Sequence, residues 1–450
     1  MTMHHSIRFS GQRTGDAPLT WGQRWLWEEV EKFAPRHEHL NLSEIVDVPD
    51  DVSLPEVLTT LQKLLEQRES LRTTYSVDPS GEPRQHVQSG GTLDVVERTA
   101  RAEEARSTAH ALAAGLRSVP FSLDDFPIRA GVVTSELRPR HLVIVIFHLA
   151  TDGWDLRNLL AEIRQSWAAL GEERTVAARI HPLDQSERER SPEGQAVSER
   201  SIKYWKKQLI NAPADIFSGR SPIPESPRFQ EIYAESEALA VAIRDLSLHL
   251  KVSPTVIFLT LSSICLEKLS GESRSFFLLG CHNRFSPSDR TATGPHYQDA
   301  PLTVDLTGAD FREAVRRTWR ASVSAYSAAK WNPPLLEAAV EDIVRERGQG
   351  VDLSCNAIVI LEPHTGLPPS PSPAGAEFIE ALRSRTRKLK MPGTAQDRTG
   401  RRFFLRAQNT SHAVLTSLRT DTTVLSSEES ARFLDDVEEL AVREFLTIPR

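Results

Sequence analysis

The chain has 450 residues, of which 39% are hydrophobic and 26% are charged, and its formal net charge is −7. This composition is typical of a globular protein with two or three domains, and it excludes a general electrostatic attraction to nucleic acid or to an anionic membrane surface. No apolar run has the length of a membrane span, and the start of the chain lacks the apolar core of a signal peptide. We therefore expect a cytoplasmic protein.

The first third of the chain alternates predicted helices and strands. Ser53-Leu54-Pro55-Glu56 is a capping box with a proline in the first helical turn, which predicts a helix from there to about Gln67. In chain order, the other patterns predict a helix after Thr20, an extended segment over 71–77, a helix over 102–116, strands over 128–134 and 142–147, and a helix over 154–170.

The rest of the chain continues this mixture without a detectable repeat. A polar stretch over 183–199 predicts a linker, the proline-rich stretch 364–375 predicts a loop, and the basic stretch 384–402 favours a solvated loop over an anion site. The remaining patterns predict helices over 201–211, 253–269, 310–329, 334–346 and 428–447, and strands over 276–280, 302–306, 354–362, 402–408 and 412–419.

These elements predict a mixed α/β (α+β) fold of two lobes in which helices cover mixed sheets. The expected domains are an N-terminal lobe over 1–178, a linker and connecting helix over 179–213, and a C-terminal lobe over 214–450. The three cysteines are far apart in apolar surroundings, which favours buried free thiols over a disulfide framework. No metal site is predicted, because the sequence shows no cluster of metal ligands.

The stretch 139–156 carries the most chemical information. The apolar run Leu142–Phe147 predicts a buried strand that ends at His148, and Asp152 and Gly153 follow before the next helix. An imidazole held at a strand end can take a proton from an amine or alcohol that attacks an acyl carbon, while a glycine lets a ligand approach the backbone. The alternative is an ordinary strand-end histidine followed by an aspartate that caps the helix, and the short pattern alone does not distinguish the two.

Several ordered segments together resemble the condensation domains of nonribosomal peptide synthesis, within the chloramphenicol-acetyltransferase-like superfamily. The family's central motif is His-His-x-x-x-Asp-Gly, which corresponds here to Phe147–Gly153. The other similar segments are Leu19–Trp27, Gln67–Tyr75 (Arg-His-Glu-x-Leu-Arg-Thr-x-Phe in the family), Tyr204–Pro213 (Tyr-Trp-x-x-x-Leu-x-x-x-Pro), and Asn283-Arg284 with Gly294–Leu302.

This resemblance implies two acetyltransferase-like lobes in a V with a central substrate tunnel. His148 would be the functional histidine, Asp152 would support the site through an arginine, and Gly153 would leave room for a phosphopantetheine arm. The residues that the resemblance places along the tunnel are Trp154, Tyr297, Gln298, Ser354 and Asn356.

The implied reaction transfers an acyl or aminoacyl thioester from a carrier protein to an amine, giving an amide, or to an alcohol, giving an ester. The donor would be attached to the phosphopantetheine arm of the partner carrier, and the chain itself would hold no cofactor. The acceptor would be carrier-bound or a small molecule, and the protein would be a monomer. The lack of an adenylation domain or carrier serine motif leaves either a free-standing enzyme or an excised domain, and the Met start and the C-terminal helix favour the free-standing enzyme.

The departures from the family pattern lead to further expectations. Phe147 replaces the first motif histidine and would support the site by packing. Gln67 replaces an arginine, so Asp152 is expected to pair with Arg68 or Arg72 instead. The family's late asparagine is Gln298 here, which leaves the acceptor specificity open, and the departures together indicate a specialised member of the family.

Two other functions are compatible with the sequence. One is a coenzyme A-dependent O-acyltransferase of the same superfamily, although the N-terminal and Tyr204–Pro213 segments fit that class less well. The other is a catalytically silent module that recruits a carrier, which the altered motifs would permit and the intact histidine, aspartate and glycine argue against.

Overall fold

The structure is a computed structural model that describes residues 2–169, 179–361, 376–392 and 401–448. The helices are α1 (Trp21–Phe33), α2 (Leu54–Gln67), α3 (Ala105–Arg117), α4 (Gly153–Ala168), α5 (Pro182–Arg190), α6 (Pro192–Leu209), α7 (Glu237–Leu250), α8 (Pro254–Ser270), α9 (Pro287–Arg290), α10 (Phe311–Ser327), α11 (Pro333–Arg347), α12 (Ala376–Arg383) and α13 (Ser427–Leu446). The strands are β1 (Thr2–Ser10), β2 (Gly15–Pro18), β3 (Asn41–Asp47), β4 (Thr73–Val77), β5 (Pro83–Val87), β6 (Gly90–Thr99), β7 (Ile128–Ser135), β8 (Arg138–Phe147), β9 (Phe229–Ser236), β10 (Arg274–Cys281), β11 (Gln298–Asp305), β12 (Cys355–Ile360), β13 (Arg387–Pro392), β14 (Phe403–Asn409) and β15 (Val414–Asp421).

The chain forms two compact units. The first comprises Met1–Val197 together with His282–Gln298, and the second comprises Ser198–Cys281 together with Asp299–Arg450. The first unit is therefore discontinuous in sequence, because it includes a short segment that follows β10. The predicted mixture of helices and mixed sheets is confirmed.

The first unit is built around a five-stranded sheet with the order β1-β6-β7-β8-β3, in which only the β6–β7 pair is parallel. Strand β8 lies between β7 and β3, and its second half, Leu142–Phe147, is apolar without alternation because both of its faces are covered. Leu142, Ile144 and Ile146 pack into a core with α2 and α4. Val143 and Val145 pack into a second core with α1 and α3. The end of β8 is thus held firmly from both sides.

The second unit contains a seven-stranded sheet with the order β11-β10-β12-β14-β15-β9-β13. The pairs β10–β12 and β12–β14 are parallel, whereas β14–β15, β15–β9 and β9–β13 are antiparallel. Helix α8 is apolar on nearly all sides because it packs between this sheet and the helices α7, α10 and α13. Among the described residues no single helix is long and apolar enough to cross a membrane, although α7 and α8, bent by 109°, pass that test together by length and composition.

The residues 183–199, which were predicted as a linker, are helical and form most of α5 and much of α6. Pro182 stands in the first turn of α5 and Asp184 closes a capping box with His181. The segment lacks an apolar stripe but is rich in Glu, Gln and Arg, which are good helix formers.

The basic stretch over 384–402 was predicted as a loop, yet Arg387–Pro392 form β13, an edge strand whose charged side chains suit its position. The predicted loop over 364–375 lies outside the described residues, as do 393–400 in the basic stretch.

The prediction of buried free thiols is confirmed for Cys265, Cys281 and Cys355. Burial raises the pKa of the Cys265 thiol to about 12 and raises the pKa of Cys281 and Cys355 well above the usual range. Because the thiolate is the reactive form, we expect none of them to react with iodoacetamide at pH 8 in the folded protein and all three to react in denaturant. Mass spectrometry of the alkylated chain measures this, and rapid labelling without denaturant would contradict it.

Candidate active site

The loop that follows β8 presents His148 at the surface of the first unit. His148 opens a short 3-10 turn that ends at Ala150, and α4 begins at Gly153. The carbonyl oxygen of Leu149 inside this turn accepts hydrogen bonds from the hydroxyl of Tyr75, at 3.0 Å, and from the side-chain amide of Gln23, at 3.3 Å. Both donors are buried, and each lies in one of the N-terminal segments singled out in the sequence.

The half-buried imidazole of His148 has a defined orientation. Its Nδ1 lies 2.8 Å from the carbonyl oxygen of Thr151. A carbonyl oxygen can only accept, so Nδ1 carries the proton, and in the neutral ring the lone pair is on Nε2. This is the tautomer that a general base at a strand end requires.

Asp152 has two structural roles. One of its carboxylate oxygens caps α4 by accepting the backbone N–H of Trp154, at 3.1 Å, and of Asp155, at 2.9 Å. The other oxygen accepts from Arg284 Nη1, at 2.7 Å, and from the backbone N–H of His296, at 2.9 Å. Helix capping, which the sequence offered as the alternative interpretation, thus coexists with a buried ion pair.

The expected pairing of Asp152 with Arg68 or Arg72 is wrong, because its partner is Arg284. Arg68 pairs instead with Asp155, at 2.7 Å, and with Glu162, at 2.8 Å. The Arg72 guanidinium donates to the backbone carbonyl oxygens of Arg13 and Gln88, so it stabilises the N-terminal loops. Asp152 pairs with an arginine that lies further away in sequence because the fold places Arg284 against its carboxylate and engages Arg68 and Arg72 elsewhere.

The Asp152–Arg284 pair is fully enclosed, with side-chain exposures of 4% and 0%. Burial alone would raise the pKa of Asp152, but the Arg284 guanidinium and the backbone N–H groups of Asp155 and His296 lower that pKa below its usual value. Arg284 also donates to the carbonyl oxygen of Gly294, at 2.7 Å. The pair therefore fixes the segment 282–298 against the motif.

Phe147, which stands where the family has its first motif histidine, is 1% exposed. Its ring lies 5.6 Å from that of Phe121, 5.5 Å from that of His37 and 6.4 Å from that of Tyr75, measured between centroids. The phenyl ring therefore packs among aromatic rings at the end of β8, where it makes van der Waals contacts and has no polar group that needs a partner.

Three of the residues proposed for the tunnel lie in the first unit. Trp154 stacks on His282, with ring centroids 4.7 Å apart, and its indole N–H donates to the Arg290 carbonyl oxygen at 3.1 Å. The ring of Tyr297 lies 5.3 Å from that of Trp25, while Gln298 is buried at the start of β11. Trp154 thus contacts Asp152 through its own backbone N–H, and Tyr297 follows His296, whose backbone N–H also donates to Asp152.

The other two lie in the second unit and make structural hydrogen bonds there. The Ser354 hydroxyl donates to Asp352 at 2.6 Å and accepts from Arg402 at 3.0 Å. The Asn356 amide donates to Asp299 at 3.4 Å. These contacts favour the ordinary role of polar residues on and beside a strand.

Sequence reasoning missed two contributors to the site. Arg284 was noted only as part of a similar segment, although the charge of a buried Asp demands a cation. Gly22 on α1 was not singled out: a Cβ at this position would lie 2.3 Å from the carbonyl oxygen of Pro295, so only glycine permits this approach of the helix to the segment 282–298.

The mixed α/β fold has a histidine at the end of a buried strand and a buried Asp–Arg pair beside it, as expected for the chloramphenicol-acetyltransferase-like fold. The chain matches the condensation domain family over residues 13–344. It belongs to this family, whose members are acyl-transferring, amide-forming enzymes of natural-product synthetases.

Individual relatives agree with this assignment. The chain is 28% identical over 208 residues to a linear gramicidin synthase of Brevibacillus parabrevis, covering 44% of this chain and 4% of that protein. It is 26% identical over 271 residues to the phosphinothricin tripeptide synthetase PhsC of Streptomyces viridochromogenes, covering 57% of this chain and 25% of that protein. The chain thus spans only a small part of the length of these relatives.

A solved structure confirms the fold. The structure that describes condensation domain-mediated chain release from the enacyloxin polyketide synthase has a TM-score of 0.69 with this chain at 18% identity, covering 96% of this chain and 84% of that one.

Proposed function

We propose that this chain transfers an acyl group from the phosphopantetheine thioester of a carrier protein to an amine, forming an amide. The observation that carries the proposal is the Nδ1–H hydrogen bond from His148 to the Thr151 carbonyl oxygen, which leaves the lone pair of the neutral ring on Nε2. A base of this kind is what an amine needs in order to attack an acyl carbon at neutral pH.

In the proposed reaction His148 is the only group that accepts and returns a proton. The amine nitrogen attacks the thioester carbonyl carbon and forms the C–N bond while Nε2 accepts the proton of the amine. The C–S bond then breaks, and Nε2 returns the proton to the departing thiolate of the carrier arm. Asp152 and Arg284 exchange no proton, because the ion pair is buried and its charges are mutually neutralised.

The surroundings of Gly153 support an approach of the carrier arm at this point. This glycine is exposed at the first position of α4, and apart from its chain neighbours and the backbone of its own helix, no described atom lies within 4 Å of the position that a Cβ would take. Packing within the described residues therefore does not require glycine here, whereas a ligand that passes close to the backbone would.

We expect Gly153→Leu to leave the unfolding free energy nearly unchanged and to raise the KM for a loaded carrier by about tenfold, or about 1.4 kcal/mol. The control is Gly115→Leu, which alters a second exposed helical glycine with open space around it. Steady-state kinetics with varied carrier concentration measure both variants. An unchanged KM in Gly153→Leu, or an equal rise in the control, would count against a donor path over Gly153.

The function itself is tested by intact-mass analysis of phosphopantetheinylated carriers from the same gene neighbourhood, each loaded with candidate acyl groups. Free amines, carrier-bound amines and alcohols are offered as acceptors, and an acyl-coenzyme A replaces the carrier in a parallel series. Amide formation from the loaded carrier supports the proposal. Transfer only from acyl-coenzyme A to alcohols would overturn it in favour of an O-acyltransferase, and carrier binding without any transfer would indicate a recruiting module.

A further inference from the structure

A second buried ion pair lies one helical turn beyond Asp152, and the reaction described above gives it no role. Asp155 and Arg68 are each about 1% exposed and approach to 2.7 Å. Arg68 also pairs with Glu162, which is 26% exposed and in turn contacts Arg179 at 3.1 Å. Arg68 therefore retains a carboxylate partner even when Asp155 is altered.

The second carboxylate oxygen of Asp155 is directed at the loop that carries His148. It accepts the hydroxyl of Thr151, at 3.1 Å, and the backbone N–H of Gly294, at 3.0 Å. Hydrogen bonds to an ionised acceptor are roughly twice as strong as neutral ones, and burial strengthens them further. Because Thr151 is 0% exposed, water does not compete with the Asp155 carboxylate for the Thr151 hydroxyl.

Thr151 is also the residue that orients the imidazole. Its carbonyl oxygen accepts the His148 Nδ1–H at 2.8 Å, and its backbone N–H lies 3.4 Å from the His148 carbonyl oxygen. A continuous path of contacts thus runs from Arg68 through Asp155 and Thr151 to His148. The two ends of Thr151 have separate contacts: its carbonyl oxygen accepts from the imidazole, and its hydroxyl lies closer to the Asp155 carboxylate, at 3.1 Å, than to the Asp152 carbonyl oxygen, at 3.3 Å.

We propose that Asp155, held by Arg68, is a positioning residue that fixes Thr151 and thereby the tautomer and orientation of His148. This inference rests on the proposed function for its kinetic consequence, but its structural part does not. Loss of the contact frees the Thr151 carbonyl to move, and the imidazole then samples orientations in which Nε2 is protonated or misdirected. Misorientation of the imidazole lowers turnover without weakening substrate binding.

The first test replaces Thr151 with valine, which keeps the shape and the backbone carbonyl and removes only the hydroxyl. We expect kcat to fall about tenfold with KM unchanged. Thr151→Ser, which restores a hydroxyl, is expected to recover most of that loss. Equal kcat in all three proteins would overturn the proposal.

The second test reads the imidazole directly and needs no substrate. In protein labelled with 15N at its histidines, the His148 signals are those that disappear in His148→Ala. The wild type is expected to show the Nδ1–H tautomer, and Thr151→Val and Asp155→Ala are expected to show about one tenth or more of the Nε2–H tautomer. A single unchanged tautomer in Thr151→Val would contradict the proposal, even if Asp155→Ala proved too unstable to measure.

Glu162→Gln provides the matched control, because Glu162 shares Arg68 as a partner but contacts neither Thr151 nor Gly294 in the described structure. A purely structural role for the Arg68 pairs would make Glu162→Gln and Asp155→Ala alike in both spectrum and kcat, which would overturn the proposal. The two failures remain distinguishable: an altered tautomer in a protein that transfers no acyl group would refute the proposed function and retain the positioning role.

Discussion

Replacing His148 with alanine is expected to lower acyl-transfer turnover by about two to four powers of ten while the fold remains intact. The expectation follows from the single-tautomer imidazole at the end of β8, since no other group in the proposed reaction accepts the proton of the attacking amine. The side chain is half-buried and its Nδ1 bonds the local turn, so its removal should cost little unfolding free energy. Single-turnover kinetics with a loaded carrier would measure the change.

His110→Ala is the matched control, because His110 is exposed on α3 and outside the motif. It should leave turnover at the wild-type level. If His148→Ala retained more than about one tenth of the wild-type turnover with an unaltered thermal transition, the histidine would be a binding residue and not a general base.

The second large effect concerns the ion pair of Asp152 and Arg284. Changing Arg284 to methionine leaves a buried carboxylate without its cation, which should cost about 3–5 kcal/mol of unfolding free energy. The double variant Asp152→Asn/Arg284→Met should lose less than the sum of the two single changes, because the charge that remains in each single variant is absent. Denaturant titration of the four proteins gives the coupling energy, and additive losses would show that the pair is not coupled.

An exposed pair supplies the control. Arg106 and Asp47 approach to 2.7 Å, but their side chains are 55% and 74% exposed. Water and salt screen such a pair, so Arg106→Met should change the unfolding free energy by about 1 kcal/mol or less.

The same pair of Asp152 and Arg284 predicts a dependence of stability on pH. The pKa of Asp152 is lower in the folded chain than in the unfolded chain, where it is about 3.9. The contribution of ionised Asp152 to the unfolding free energy is therefore fully present above the pKa that this residue has in the unfolded chain. It is lost as the pH falls through the pKa that the residue has in the folded chain. Wild-type protein should lose stability more steeply below about pH 4 than Asp152→Asn, which carries no titrating group at this position.

Local sequence patterns predicted most helices well, and the reasons are visible in the caps. The capping box at Ser53, the proline at the first position of α8 and the left-handed Gly271 at its end all stand where sequence rules place them. Strands at the edges, such as β1 and β13, escaped detection because polar and charged side chains alternate there without a buried run. Their pairing depends on partner strands that sequence periodicity does not reveal.

The geometry of the candidate site was predictable where its residues are close in sequence. His148, Asp152 and Gly153 lie between the end of β8 and the start of α4, and the apolar run before them marks the strand end. The partner of Asp152 was not predictable in the same way. The segment Gln67–Tyr75 contains two arginines near the position where the family has one, and the sequence therefore favoured these over Arg284. A buried carboxylate requires a cation nearby, but only the folded chain shows which arginine supplies it.

The segment 282–298 gives the first unit an unusual assembly order. Asp152 and Asp155 together bind Arg284, Gly294 and His296, so the start of α4 holds a piece of chain that is synthesised well over a hundred residues later. A nascent chain must therefore make residues 198–281 of the second unit before the contacts around the His148 loop can be completed. A gene fragment that stops at the end of the contiguous N-terminal part would leave the motif carboxylates without these partners, so attempts to dissect or recombine this protein should retain residues 282–298 with the motif.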